Sequence, residues 1–346
     1  MIGFHKTFHP NVCVCADANA SVGYGHVMRC LAVAEVLKKL GVAVNFLMEP
    51  SSDHALVEAN GYDVIVLKQY EFPAEQIIAA LRPENSLLLF DSYAISFDDL
   101  EKLHSAGFVV ALFDDGMRLE DYGCGLVIDC APGASTLPYR GFPETRFCLG
   151  ADYFPLRQEF KKARGKEGIA DRVKTIIVTF GGSDPDDVTH KVLNAMANID
   201  GDFEIVAVLG PAYAGRAVEA PTADGRVKTV RSVLDMGALM VTADLAICGG
   251  GCTALELAYL GVPMVVLPLS PDQMPLARSL AGAALCLEGI NSVRDTDIVA
   301  AIRSLLNDKY KRQNMHFAGR ALVDGLGSER VASAILSITT KDANKL

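Results

Sequence analysis

Apolar runs and stretches of helical periodicity alternate along almost the whole chain. Residues 11–16, 42–48, 63–67, 87–90, 109–113 and 126–128 are rich in Val, Leu, Ile and Phe and read as buried strands. Between them, residues 27–40, 53–60, 75–81 and 97–106 repeat apolar positions at helical spacing. In the helix over 27–40, Arg29, Glu35, Lys38 and Lys39 are expected to form the wet edge, with Gly41 as the left-handed residue beyond its end. Strands apolar on both faces, separated by helices, predict a parallel sheet covered on both sides. Residues 131–155 break the rhythm with prolines and glycines and no clear period, so a domain junction is predicted near Gly150. This gives domains over 1–150 and 151–346. Residues 160–171 read as a charged surface link. The alternation then restarts, with strands predicted over 175–180, 204–209, 227–230, 245–247, 264–267 and 283–287. Helices are predicted over 187–198, 273–281, 295–306, 308–323 and 328–336, and a short helical connection over 233–241.

Two turns between strand and helix stand out. The first is Cys248-Gly249-Gly250-Gly251-Cys252-Thr253-Ala254-Leu255-Glu256. Three glycines in a row let the backbone approach a bulky anion with no Cβ in the way. The free N–H groups and dipole of the helix that follows then attract negative charge. The second is Asp17-Ala18-Asn19-Ala20-Ser21-Val22-Gly23-Tyr24-Gly25-His26, also set between a strand and a helix. The two turns are expected to face each other across a cleft and hold a phosphorylated ligand. Parallel sheets bind ligands beyond the carboxyl ends of their strands, and Asp17, Asp91, Asp114, Asp115 and Asp129 all fall on that rim. Gly23-x-Gly25 does not read as a dinucleotide fingerprint, because Met28 stands where the third glycine belongs.

Composition narrows the classes. At 346 residues the chain suits two domains. A net charge of −10 argues against nucleic acid as the partner. The nine cysteines are scattered, with no C-x-x-C pair, and read as buried free thiols in a reducing cytoplasm rather than as a metal site. Met1 to Pro10 is polar and does not resemble a secretory signal, and the longest apolar runs fall short of the ~20 residues of a membrane span.

The order of motifs is more specific. Asp17-x5-Gly23-Tyr24-Gly25-His26-Val27-Met28-Arg29-Cys30-Leu31 is followed by Asp91-Ser92-Tyr93, by Asp114-Asp115, and by the stretch Leu149-Gly150-Ala151-Asp152-Tyr153-Phe154-Pro155-Leu156-Arg157-Gln158-Glu159-Phe160. Then come Phe180-Gly181-Gly182-Ser183-Asp184-Pro185, Gly250-Gly251-Cys252-Thr253-Ala254-Leu255-Glu256, and Asp324-Gly325. This series, spanning roughly residues 11–335, resembles the PseG family of UDP-sugar hydrolases, whose C-terminal half is similar to the glycosyltransferase MurG. Relatives with the same motifs belong to spore-coat polysaccharide synthesis. The resemblance implies the GT-B architecture, two Rossmann-like α/β domains around a cleft. It also implies hydrolysis of UDP-2,4-diacetamido-2,4,6-trideoxy-β-L-altropyranose to free sugar and UDP by water attack at the anomeric carbon, with no metal and no cofactor. The chain departs from the family pattern at Cys15, Asp129, Cys252 and Asp272, where the family commonly has Arg, Asn, Ser and Asn.

Site residues follow from the matched motifs. His26 is the candidate base, since an imidazole can take a proton from water near physiological pH; a helix-start histidine in a tight turn is the plainer alternative. Asp17, Gly23, Tyr24, Gly25, Asp91 and Tyr93 are the sugar-side candidates, with Asp17 either orienting His26 or simply capping a strand end. Gly181, Gly182, Ser183, Val233, Leu234, Gly250, Gly251, Cys252, Thr253, Glu256, Asp272 and Gln273 are the UDP-side candidates. Helix N-capping by Ser183 or Asp184 competes with a ligand role for that turn. Thr253-x-x-Glu256 is a capping box on its face, whereas the resemblance gives Glu256 the ribose hydroxyls. The expected partners are a UDP-sugar and UDP, with the oligomeric state open. A glycosyltransferase of the same fold and a non-catalytic nucleotide-sugar binder are the other two readings.

Overall fold

The computed structural model describes residues 11–19, 23–68, 72–164, 168–215, 225–231, 233–280 and 282–342. The first part of the chain runs β1 (Asn11–Ala16), α1 (Gly25–Lys39), β2 (Val44–Met48), α2 (His54–Ala59), β3 (Asp63–Val66), α3 (Ala74–Ala80), β4 (Ser86–Asp91), α4 (Phe97–Ser105), β5 (Val109–Phe113), β6 (Leu126–Asp129) and β7 (Arg146–Leu149). These strands form a seven-stranded sheet in the order β3-β2-β1-β4-β5-β6-β7, parallel throughout. The second part runs α5 (Gln158–Ala163), β8 (Thr175–Thr179), α6 (Val188–Met196), β9 (Glu204–Leu209), β10 (Val227–Arg231), α7 (Met236–Met240), β11 (Leu245–Cys248), α8 (Cys252–Leu260), β12 (Met264–Val266), α9 (Met274–Ser279), β13 (Leu285–Cys286), α10 (Asp295–Asn307), α11 (Lys309–Leu322) and α12 (Gly327–Asp342). Its six-stranded parallel sheet has the order β10-β9-β8-β11-β12-β13.

The order of both sheets reverses once, between β1 and β4 and between β8 and β11. Those are the points where a parallel sheet opens a crevice beyond its strand ends. The turns after β1 and β11 are the two picked out from the glycines. The central strands explain themselves: every residue of β4 and β11 is buried, as apolar runs on both faces require.

Three features depart from the sequence reading. The irregular stretch after β6 contains β7, a four-residue edge strand that pairs with Leu126 to Asp129. The supposed surface link carries α5, whose Phe160 is fully buried and packs toward α7. The last helix, α12, crosses back to pack on α1, β5 and β6, burying Val331, Ala332, Ala334 and Ile335 completely. The return is tight, since a Cβ at Gly327 would lie 2.0 Å from the carbonyl oxygen of Phe154. One apolar cluster therefore runs from α1 and β1 through Phe154, Phe160 and α12 into α8 and β11, joining the two domains. No described helix is long and apolar enough to cross a membrane.

Candidate active site

On the first domain, α1 begins at Gly25 with Tyr24 as its N-cap residue. His26 therefore lies in the first turn, beyond the end of β1. The residue is 9 % exposed, and its ring packs edge-on against Tyr93, with centroids 4.8 Å apart. Its Nδ1 is buried without a hydrogen-bond partner, 3.9 Å from Asp91 Oδ1. One turn on, Arg29 is 6 % exposed and grips two carboxylates. Its Nε and Nη2 donate to Asp91 at 2.5 and 2.7 Å, and Nη1 and Nη2 donate to Asp115 at 2.8 and 2.9 Å. The guanidinium also lies 4.9 Å from the ring centroid of Phe113. Burial alone would raise the Asp115 carboxyl, but the charge and hydrogen bonds of Arg29 outweigh it and hold the group well below the usual carboxylate range. Tyr93 Oη donates to Asp115 Oδ2 at 3.0 Å and reaches Asp272 Oδ2 of the second domain at 3.5 Å. Burial and the neighbouring carboxylates push this phenol up.

Asp17 has other partners. It accepts from Ser52 Oγ and, at 2.8 Å, from the Glu49 N–H, so it ties the end of β1 to the turn after β2. Asp91, not Asp17, is the carboxylate beside His26. Burial raises the Asp17 carboxyl to about 6, against the lowering effect of those two hydrogen bonds. Gly23 sits at φ +83° and exchanges backbone hydrogen bonds with Asn19, so a turn there suits glycine. Ala20, Ser21 and Val22 of the same stretch lie outside the described residues.

On the second domain the glycine turn enters α8 directly. The N-cap residue is Gly251, with no side-chain cap, so the capping box expected of Thr253 and Glu256 is not formed. Glu256 instead accepts on Oε1 from Arg157 Nε and Nη2 at 3.1 and 2.9 Å. Burial raises its carboxyl while Arg157 opposes the shift. Arg157 also pairs with Glu159 at 2.8 Å and stacks on Phe160. The Gly250 N–H is already engaged, donating at 2.9 Å to Gln273 Oε1, which accepts from Leu269 N–H at 3.0 Å as well. Gln273 thus shapes the loop with its carbonyl rather than offering that oxygen to a ligand. The N-cap residue of α6 is Asp187, without a side-chain cap; Asp184, three residues before it, takes the N–H groups of Val188 and Thr189 at 2.9 Å each, so neither Ser183 nor Asp184 is the N-cap that the sequence offered. Val233 is partly buried against the core, whereas Leu234 is 98 % exposed.

The two rims meet. A Cβ at Gly182 would lie 2.4 Å from Tyr24 Cδ2, and one at Gly25 would lie 3.8 Å from Cys252 Sγ. Gly116 similarly faces Pro275 at 3.4 Å. Cys252, the first residue of α8, looks onto the Arg29 cluster, and burial pushes its thiol up to about 12. The structure therefore brings His26, Asp91, Tyr93, Gly25, Gly182, Cys252 and Asp272 to one inter-domain contact. Asp17 is displaced toward α2, and Glu256 is tethered behind the loop. Sequence reasoning assigned Arg29 to solvent and gave Arg157 no role. The signal for Arg29 was its spacing: with His26, Cys30, Val33 and Leu37 it shares one helix face, and all five are buried.

A family model described as UDP-glucoronosyl and UDP-glucosyl transferase matches residues 240–320, which include β11, the glycine turn and α8. The spore coat polysaccharide biosynthesis protein SpsG of Bacillus subtilis is 30 % identical over 337 residues, 94 % of this chain and 97 % of that protein. An uncharacterized protein of Methanocaldococcus jannaschii is 27 % identical over 270 residues, 74 % of this chain and 55 % of its own length. A Helicobacter pylori protein named pseudaminic acid cytidylyltransferase and UDP-2,4-diacetamido-2,4,6-trideoxy-beta-L-altropyranose hydrolase is 20 % identical over 264 residues, 75 % of this chain and 45 % of its own. The chain thus spans about half the length of these last two relatives. The crystal structure of Acinetobacter baumannii MurG superimposes with a TM-score of 0.67 at 18 % identity, over 95 % of this chain and 99 % of that one. That likeness is one of fold, and the fold is GT-B.

Proposed function

The chain belongs to the family of the spore coat polysaccharide biosynthesis protein SpsG, and we propose that it is a hydrolase of a UDP-activated amino or deoxy sugar. The observation that carries this reading is His26 at the start of α1, with Asp91 on its Nδ1 side and next to Gly25, which meets Cys252 at the start of α8. With Nδ1 directed at Asp91, Nε2 is the nitrogen left to accept a proton from water. The water oxygen bonds to the anomeric carbon as the bond from that carbon to the phosphate oxygen breaks. The proton passes to His26, and UDP departs. The N–H groups of Gly251, Cys252 and Thr253 at the start of α8 stabilise the leaving diphosphate electrostatically, without a metal. Glu256, held by Arg157 through Oε1, presents its other oxygen to the ribose hydroxyls, and the backbone at Val233 and Leu234 reads the uracil edge. Since the rims touch and the imidazole is enclosed, the domains part to admit the substrate.

Transfer to an acceptor hydroxyl is the second reading, favoured by the match of residues 240–320 to a transferase family model. Incubation with a panel of UDP-sugars in heavy-oxygen water separates the two. Hydrolysis gives label in the sugar and none in UDP, without any acceptor. UDP release that depends on an added acceptor supports transfer instead. His26→Asn is expected to cut turnover by about 10²–10⁴-fold while leaving UDP affinity near the wild-type value. Turnover that survives the change removes His26 as the base.

A further inference from the structure

Behind Asp115 the ends of β5 and β6 bring two further carboxylates together, Asp114 and Asp129, both completely buried. Tyr139 stands between them. Its Oη lies 2.7 Å from Asp114 Oδ2 and 2.7 Å from Asp129 Oδ2, and it accepts from the Met117 N–H at 3.0 Å. A phenol has one proton to give. Donated to one carboxylate, it leaves the other oxygen facing the phenol lone pairs at hydrogen-bond distance. That contact is attractive only if the second carboxyl brings its own proton. Burial and the two carboxylates also push the Tyr139 phenol up, so it keeps its proton.

The surroundings say which carboxyl is the acid. Asp114 faces a cation, Arg118 Nε at 3.1 Å, and accepts from the Met117 N–H at 2.7 Å. Asp129 accepts only neutral backbone donors, Ala131 N–H at 2.8 Å and Gly116 N–H at 3.1 Å. The titratable and charged groups around the pair are Tyr139, Asp115, Arg118, Tyr122, Cys124 and Cys130. Arg118 is the cation in direct contact among them, and it lies on Asp114. We propose that Asp129 is carried as the neutral acid at physiological pH, donating to Tyr139, which donates in turn to the Asp114 carboxylate, and that this string fixes the turn over 114–118. The turn includes Gly116 at φ +90°, held by Asp129 and abutting Pro275 of the second domain. It also presents Asp115 to Arg29, so Asp129 positions the site without touching substrate. Loss of the proton sets two anions against one phenol and loosens the turn. Burial supports the assignment by raising the Asp129 carboxyl.

The ionisation state does not depend on the hydrolase reading; only the consequence for turnover does. The sign is fixed. A folded-state pKa above the unfolded value means that the folded state holds the proton more tightly, so this contribution falls as pH rises through the raised pKa. Carbon-13 labelling of aspartate carboxyls should reveal by NMR an aspartate that is still protonated at neutral pH, missing from Asp129→Asn and retained in Asp17→Asn. If every aspartate titrates in the ordinary range, or the acid survives Asp129→Asn, the proposal is overturned. The paired variants decide independently. Asp129→Asn keeps the donor to Tyr139 and gives up only the acceptor for the Gly116 N–H on the same atom, so it should lose less melting temperature than Asp114→Asn, which should fall by more than roughly 4 °C. Equal losses, or the reverse order, refute the assignment. With rising pH the wild type should also lose melting temperature relative to Asp129→Asn.

Discussion

On the first-domain rim the working groups are side chains, and each is held by another: His26 beside Asp91, Asp91 and Asp115 in the grip of Arg29, and Tyr93 on Asp115. On the second-domain rim the tightest contact is backbone, Gly182 beneath Tyr24, with the side chains of Cys252, Asp272 and Pro275 beside it and the turn from Gly249 to Gly251 held from behind by Gln273. The first arrangement places charge where burial makes every unpaired group costly. The second relies on the absence of a Cβ. The two sides should therefore fail differently when altered: the charged rim by losing stability, the glycine rim by losing closure.

The largest stability effect should come from Arg29. Replacement by Met leaves Asp91 and Asp115 buried without their cation, a change that costs ~3–5 kcal/mol. Arg29→Lys should recover only part of this, because an ammonium cannot hold two carboxylates in fork geometry. Urea unfolding of the variants measures it, and a loss below about 1 kcal/mol in the Met variant would mean that the two carboxylates are relieved by something other than Arg29. The pH dependence has a definite sign. Asp115 is held below its unfolded pKa, so its contribution is present above about pH 4 and is lost only as acid titrates it.

This contrast also explains what could be read from the chain alone. The two sheets, their order of elements and the two glycine turns were legible because apolar periodicity and glycine placement are local signals. The second rim is made of such signals. The first rim is not, because Arg29 meets Asp91 and Asp115 from 62 and 86 residues away, and a helix wheel read without those partners sends an arginine to water. The capping role open to Glu256 failed for the opposite reason. A local capping pattern was present, but the helix starts at Cys252, two residues earlier than a Thr253 cap would place it, and Arg157 reaches the carboxylate from a distant segment. Strand β7 was hidden by its length and by its position among prolines, with exposed Arg146 leading a strand of four residues.

A smaller effect, and one confined to the glycine side, is expected at Gly182. An added methyl would overlap Tyr24, with Cδ2, Cγ and Cβ at 2.4, 2.9 and 3.1 Å. The last two atoms belong to the root of the side chain, so rotating the ring does not relieve the contact. Gly182→Ala should hold the domains apart and lower turnover by about tenfold, roughly 1.4 kcal/mol in activation free energy, with urea stability unchanged within about 0.5 kcal/mol. Tyr24→Ala in the same background should restore part of the rate. A variant that is both slower and less stable would show that the glycine rim is structural in the way the charged rim is.

The smallest effect should be found at Asp17, which sharpens the comparison within the first rim itself. Asp17 and Asp115 are both rim carboxylates, yet their shifts run in opposite directions. Asp115 has a guanidinium. Asp17 has only Ser52 and the Glu49 N–H, and burial wins, raising it to about 6. In the unfolded chain an aspartate titrates near 3.9. Between those values the folded state binds more protons, so stability falls as pH rises through this window, the reverse of the Asp115 behaviour. Asp17→Asn removes the titration and keeps an oxygen able to accept from Ser52 and Glu49. Its stability should be flatter with pH than wild type, the two curves differing by about 1–2 kcal/mol across the window. Parallel curves would mean that Asp17 is ionised in the fold throughout, and that water or His54, rather than burial, governs that end of the rim.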